Sequence, residues 1–148
     1  MPGTPETILA FDFGSRRIGV AVGQQVTDSA SPLGVVNNGE NGPDWDHVQR
    51  LIREWGPARL VVGMPLHADG SPSAVTELVE SFIADLTRFG LSIDPVDERY
   101  SSVEAEQILR SERAAGVRGR ISKEMIDSTA ALLIAERWLK NEANPNNS

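Results

Sequence analysis

Three acidic residues stand where solubility alone does not explain them. Asp12 lies inside the apolar run from Ile8 to Phe13, directly before Phe13-Gly14. Glu98 follows a second apolar stretch that ends at Val96, between Asp97 and Arg99. Asp127 sits one turn into an amphipathic segment, with Ala130, Ala131 and Ile134 at helical spacings from it. A charge within an apolar strand is costly to desolvate unless it finds a partner. Each acid has a plainer structural reading: Asp12 satisfied by the amides of the next turn, Glu98 in a loop ion pair with Arg99, and Asp127 as a partner for the dipole of a helix start. Taken together they point to other chemistry. Carboxylates gathered in one place repel unless cations join them, and one or two Mg²⁺ ions would supply that charge, activate water and stabilise the oxyanions of a phosphodiester displacement.

Other ligand chemistries are narrowed by composition. The chain has no cysteine, so a metal must rely on oxygen or imidazole donors. The histidines, His47 and His67, lie in polar segments and read as surface residues. The balance of 14 Lys and Arg against 21 Asp and Glu gives a net charge of −7, which opposes a general coating of nucleic acid. The run from Arg110 to Lys123 departs from that background, with five cations and one anion. It contains Gly116 and Gly119 and reads as a mobile loop, suited either to phosphates or simply to solvent. No basic N-terminal region and no apolar run of spanning length is present, so the expectation is a cytoplasmic protein without a membrane segment.

The elements that would position these residues follow from periodicity. Ile8 to Phe13 and Ile18 to Val22 predict a hairpin around Gly14-Ser15-Arg16-Arg17, and Leu33 to Val36 a third short strand. Trp45, Val48, Leu51, Ile52 and Trp55 predict a helix ended by Gly56-Pro57. Leu60 to Val62 reads as a buried strand, followed by a polar loop through Asp69-Gly70-Ser71. Val75 to Phe89 forms one apolar helical stripe with Gly90 as its cap. Leu91 to Val96 predicts a fifth strand, confined by Pro95 to an edge or an early stop. Ser101 with Glu104 fits a capping box for a third helix, and Ser122 caps the last. The order predicts one α/β domain over residues 1–148, with flexible tails at 1–6 and 141–148. Its sheet would be five-stranded and mixed: strands 1 to 3 antiparallel, strands 4 and 5 parallel to strand 1, and helices on both faces.

Four stretches, in this order, resemble the YqgF family of bacterial pre-16S rRNA nucleases, which is related to RuvC-type Holliday junction resolvases and other RNase H-like enzymes. They are Asp12-Phe13-Gly14-Ser15-Arg16-Arg17-Ile18-Gly19-Val20-Ala21, Val61-Val62-Gly63-Met64-Pro65 with Asp69-Gly70-Ser71, Asp97-Glu98-Arg99-Tyr100-Ser101-Ser102, and Ile126-Asp127-Ser128-Thr129-Ala130-Ala131. The resemblance implies an RNase H-like fold and places Asp12, Glu98 and Asp127 on the family's acidic triad, as catalytic residues and ligands of Mg²⁺ or Mn²⁺. It places Arg16, Arg17 and Arg99 on basic positions around the site, to which the charged run adds Arg118, Arg120 and Lys123 as nucleic-acid-binding residues. RuvC-type resolvases usually carry a second acid one turn after the terminal Asp; Ala130 occupies that position here.

The implied function is a metal-dependent endonuclease acting on a ribosomal RNA precursor, as a monomer or weak homodimer. Cleavage of branched DNA, which calls for a symmetric dimer, and a non-catalytic RNA-binding or transcription-associated module are the alternatives. An actin-like ATPase would share the Asp-x-Gly hairpin, but it needs a second such lobe and an adenosine-binding glycine motif, and neither is found in the sequence.

Overall fold

A computed structural model describes residues 5–65, 74–97, 101–116 and 119–143. Among these residues six strands and four α-helices follow in the order β1 (Thr7–Phe13), β2 (Arg17–Gln24), β3 (Ser29–Gly39), β4 (Gly42–Pro43), α1 (Trp45–Trp55), β5 (Arg59–Met64), α2 (Thr76–Leu86), β6 (Ser92–Asp97), α3 (Ser101–Ala114) and α4 (Lys123–Ala143), with a 3-10 turn at Thr87–Phe89 after α2. They form one sheet in the order β4-β3-β2-β1-β5-β6. β1, β2 and β3 pair antiparallel, whereas β5 pairs parallel to β1 and β6 parallel to β5. The C-terminal ends of the three parallel strands therefore share one edge, where sheets of this kind place their ligand groups.

Alternation along the strands explains how both faces are covered. In β1, Leu9 and Phe11 point into a core with Val48 of α1 and Val79, Phe82 and Leu86 of α2. Ile8 and Ala10 point the opposite way, against Ala131, Ile134, Ala135, Trp138 and Leu139 of α4. β2 divides its residues by size as well as by direction. Ile18, Val20 and Val22 fill the α1–α2 side, while Gly19, Ala21 and Gly23 leave the other side shallow enough for α4 to lie close. Helix ends follow local chemistry. Asp44 accepts a hydrogen bond from the His47 amide at the start of α1, and Gly56 closes it with a left-handed φ of 55°. Ser122 Oγ accepts from the Met125 amide at the start of α4.

The sheet has six strands, not the five expected. The extra strand is the two-residue β4, which pairs only with Asn38 and Gly39 and has too few residues to carry a hydrophobic pattern. β3 also runs well beyond Leu33 to Val36. Its flanking residues are polar or small, so pairing to β2 supplies the strand, with an irregularity opposite Val20 and Ala21 near Pro32 and Gly34. β6 is an edge strand, as Pro95 requires. Glu6 pairs with Arg59, and α4 continues to Ala143. Among the described residues no helix is long and apolar enough to cross a membrane.

Candidate active site

Asp12 is the next residue after Ile8 and Ala10 on the α4 side of β1, so strand alternation aims it at the helix that carries Asp127. Its partner across the β1–β2 ladder is Gly19. A Cβ on Gly19 would lie 2.0 Å from the Asp127 carbonyl oxygen and 3.1 Å from the Ser128 nitrogen, so no side chain fits between β2 and the first turns of α4. Gly19 is thus in register with one acid and in backbone contact with the other. Both Asp12 and Asp127 are half-buried.

Arg17, at the start of β2, reaches the same place. Its Nε donates to Asp127 Oδ2 at 2.8 Å, with side-chain exposures of 26% and 27%. The hydrogen bond to Asp127, and the charges of Asp127 and Glu124, raise the guanidinium above its ordinary pKa, against an opposing desolvation. The turn before it is pinned by Asn38, whose amide donates to the Arg16 carbonyl at 2.9 Å and whose Nδ2 donates to the Gly14 carbonyl at 2.7 Å. Arg16 is exposed on that turn.

Glu98, Arg99 and Arg118 lie outside the described residues, as do His67 and the loop at Asp69-Gly70-Ser71. Among the described residues no three acid or histidine side chains are gathered as a metal site. The chain leaves β6 at Asp97, level with Met64 of β5, at the same edge of the sheet that carries Asp12. Arg120 and Lys123 are exposed just before and at the start of α4. Beside them a cleft of about 670 Å³ opens between α3 and α4, lined by Glu106, Arg110, Arg113, Ala114, Ile121 and Ile126, the last adjacent in sequence to Asp127.

Residues 6–141 match the family described as "RuvX: Holliday junction resolvase". The chain belongs to the RuvX family. It is 43% identical over 142 residues to a protein of Nitrosococcus oceani named "Putative pre-16S rRNA nuclease", covering 95% of this chain and 91% of that one. A protein of Burkholderia lata with the same name is 48% identical over 134 residues, covering 90% and 88%. Among solved structures, the yeast mitochondrial Holliday junction resolvase superposes with a TM-score of 0.58 at 13% identity, covering 95% of this chain and 80% of that one. Thermus thermophilus RuvC in complex with a Holliday junction substrate gives 0.52 at 16% identity, covering 93% and 95%. The fold is therefore RNase H-like, and the RuvX chain is a member of a nuclease family whose substrates are nucleic acids.

Two features of this RuvX site escape a reading by residue type. Gly19 has no chemistry of its own, and its placement depends on which strand face α4 covers; the small-large alternation of β2 is the signal that could have found it. Arg137 of α4 donates from Nη1 to the Asp97 carbonyl, while its Nη2 is 3.8 Å from Glu104 Oε1 of α3. It thereby holds the chain on both sides of Glu98. Its signal is weak: it lies on the flank of the helical face that carries Asp127 and Ile134. A hard divalent cation fits the donors present, since they are carboxylate oxygens and Asp127 already accepts a cationic group.

Proposed function

We propose that this RuvX-family protein is a cytoplasmic, divalent-metal-dependent endonuclease that hydrolyses phosphodiester bonds in RNA, with the precursor of 16S ribosomal RNA as its substrate. The observation that carries this reading is the convergence of Asp12 and Asp127 around Gly19, at the edge where the parallel strands end. Asp12, Asp127 and Glu98 would hold Mg²⁺ or Mn²⁺. When bound, the cation supplies water activation and charge neutralisation at the phosphate. Arg16, Arg99, Arg118, Arg120 and Lys123 would hold backbone phosphates, fixing the strand without reading its sequence. The cleft beside Ile126 offers apolar wall to a base and guanidinium groups to its phosphate. Residues 1–148 would act as a single domain, as a monomer or weak homodimer.

A second reading, cleavage of branched DNA, is favoured by the family's description and by the fold it shares with junction resolvases. Against it, Ala130 is fully buried one turn after Asp127, where resolvases of the RuvC type usually carry another acid. Incubating the protein with precursor ribosomal RNA, unstructured single-stranded RNA and a four-way DNA junction, each with and without Mg²⁺, separates the readings. Metal-dependent cutting of the precursor is expected. Cutting of the junction alone, by two protomers, would replace the first reading with the second, and no cutting of any substrate would leave a binding module.

A further inference from the structure

Among the described residues, two partly buried arginine–carboxylate arrangements of similar exposure are built in different ways. Arg59 bonds Glu6 through Nε at 2.9 Å and Nη2 at 3.4 Å, and both oxygens of Asp94 through Nη1 at 3.2 Å. Its guanidinium carbon lies 5.9 Å from the Trp138 ring centroid, and Trp138 itself donates to Asp94 at 2.8 Å. That is a clamp, with the planar fork used on several sides. Arg17 makes one bond, from Nε to a single oxygen of Asp127. Among the described residues it is the one side-chain hydrogen bond that either group makes. The backbone below Arg17 is fixed by β2 and by Asn38, so only its side chain need move to break the contact.

We propose that Arg17 is an exchangeable resident counter-ion of the site. It neutralises Asp127 when no divalent cation is bound, gives up that carboxylate to the cation, and then holds a phosphate of the incoming strand. The physical case is competition for one anion. A guanidinium and a divalent cation cannot both approach the same carboxylate closely without repelling each other, and the divalent ion carries twice the charge. A single, quarter-exposed hydrogen bond is a weak enough restraint to be exchanged. The displaced guanidinium stays at the rim of the same site because β2 holds its backbone. Metal and nucleic acid thus draw Arg17 in the same direction, so each should strengthen the other's binding, and reciprocally.

This rests on the metal-site reading above, and binding measurements test it without relying on turnover. Mn²⁺ affinity is measured by electron paramagnetic resonance for the wild type, Arg17→Gln and Asp12→Asn, with and without a non-cleavable phosphorothioate RNA. Arg17→Gln should bind Mn²⁺ about two- to fivefold more tightly than the wild type, the range corresponding to removal of one exposed ion pair. It should bind the RNA more weakly, and the Mn²⁺–RNA coupling seen in the wild type should shrink. Unchanged or weaker Mn²⁺ binding in Arg17→Gln, with a wild type that binds Mn²⁺ and loses it in Asp12→Asn, overturns the exchange and leaves the metal site standing. A wild type that binds no Mn²⁺ at this site overturns both. A second measurement avoids any fault in the variant's fold: in the wild type, the Arg17 Nε–H resonance should move toward the solvent-exposed range as Mg²⁺ is added. A resonance that keeps its position at saturating Mg²⁺ shows that the pair does not exchange.

Discussion

Gly19 and Asp127 meet backbone to backbone, and no atom larger than hydrogen fits on the Gly19 Cα where the two chain segments touch. The contact sets how near α4 lies to β2, and so how near Asp127 lies to Asp12, the residue paired with Gly19 in the ladder. Gly19→Ala must push the helix away or bend the strand. It should destabilise the protein by about 1–3 kcal/mol, as overpacking of a tight interior contact does, and should weaken Mn²⁺ binding although no ligand has changed. Urea unfolding and a metal titration on the same preparation check both effects. Full Mn²⁺ affinity in a folded Gly19→Ala protein would show that the helix spacing does not set the site.

Asp12→Asn removes one negative charge from the same neighbourhood. In the absence of divalent cations its melting temperature should equal or slightly exceed that of the wild type, because like charges no longer repel there. Differential scanning calorimetry in EDTA reads this directly. A variant that melts far lower would identify Asp12 as a structural partner of the turn rather than a metal ligand.

The Arg59 clamp gives the opposite pattern. It joins the start of β5 to Glu6 and to Asp94 of the edge strand β6, at the far end of the sheet from Asp12. Arg59→Gln should cost about 1–2 kcal/mol of stability, since it removes the cation that Glu6 and Asp94 share and leaves Asp94 held by Trp138. Mn²⁺ affinity should stay at the wild-type value. Weakened metal binding in this variant would mean that the two ends of β1 are coupled.

Neutralising Arg118, Arg120 and Lys123 together should weaken RNA binding about equally for all sequences. For a single strand, every phosphate that these cations no longer neutralise should reduce the slope of log affinity against log salt by about 0.7. Fluorescence anisotropy across a salt series measures that slope, and an unchanged slope would assign these cations to solvated surface.

The legible parts of the fold were those with a strong period. The apolar run from Ile8, the stripe through Val79 and Phe82, and the proline in β6 each pointed to an element, whereas the division of Leu9 and Phe11 from Ile8 and Ala10 between two cores came only with the structure. β4 and the ends of β3 were not legible, because Gly42, Pro43 and the polar residues around Leu33 are strand only through their partners. At the site, Asp12 and Asp127 stood out as acids among apolar neighbours, and the structure brings their backbones together through Gly19. Arg17 was read as a nucleic-acid-binding residue, and its bond to Asp127 was not foreseen. Nothing in a sequence distinguishes an arginine near an acid in space from one facing solvent when 110 positions separate them. Glu98 and Arg99 lie outside the described residues, and the role given to them rests on the family pattern.

If phosphodiester cleavage takes place at the Asp12–Asp127 site and needs a divalent cation, the chemical step itself must show both dependences. Single-turnover cleavage of precursor ribosomal RNA, with enzyme in excess, reads that step when wild type, Asp12→Asn and Asp127→Asn are compared in Mg²⁺ and in EDTA. Cleavage is expected from the wild type in Mg²⁺ only, with both variants at background although they remain folded. Cleavage by either variant at the wild-type rate, or full wild-type activity in excess EDTA, would contradict the assignment of the reaction to this site.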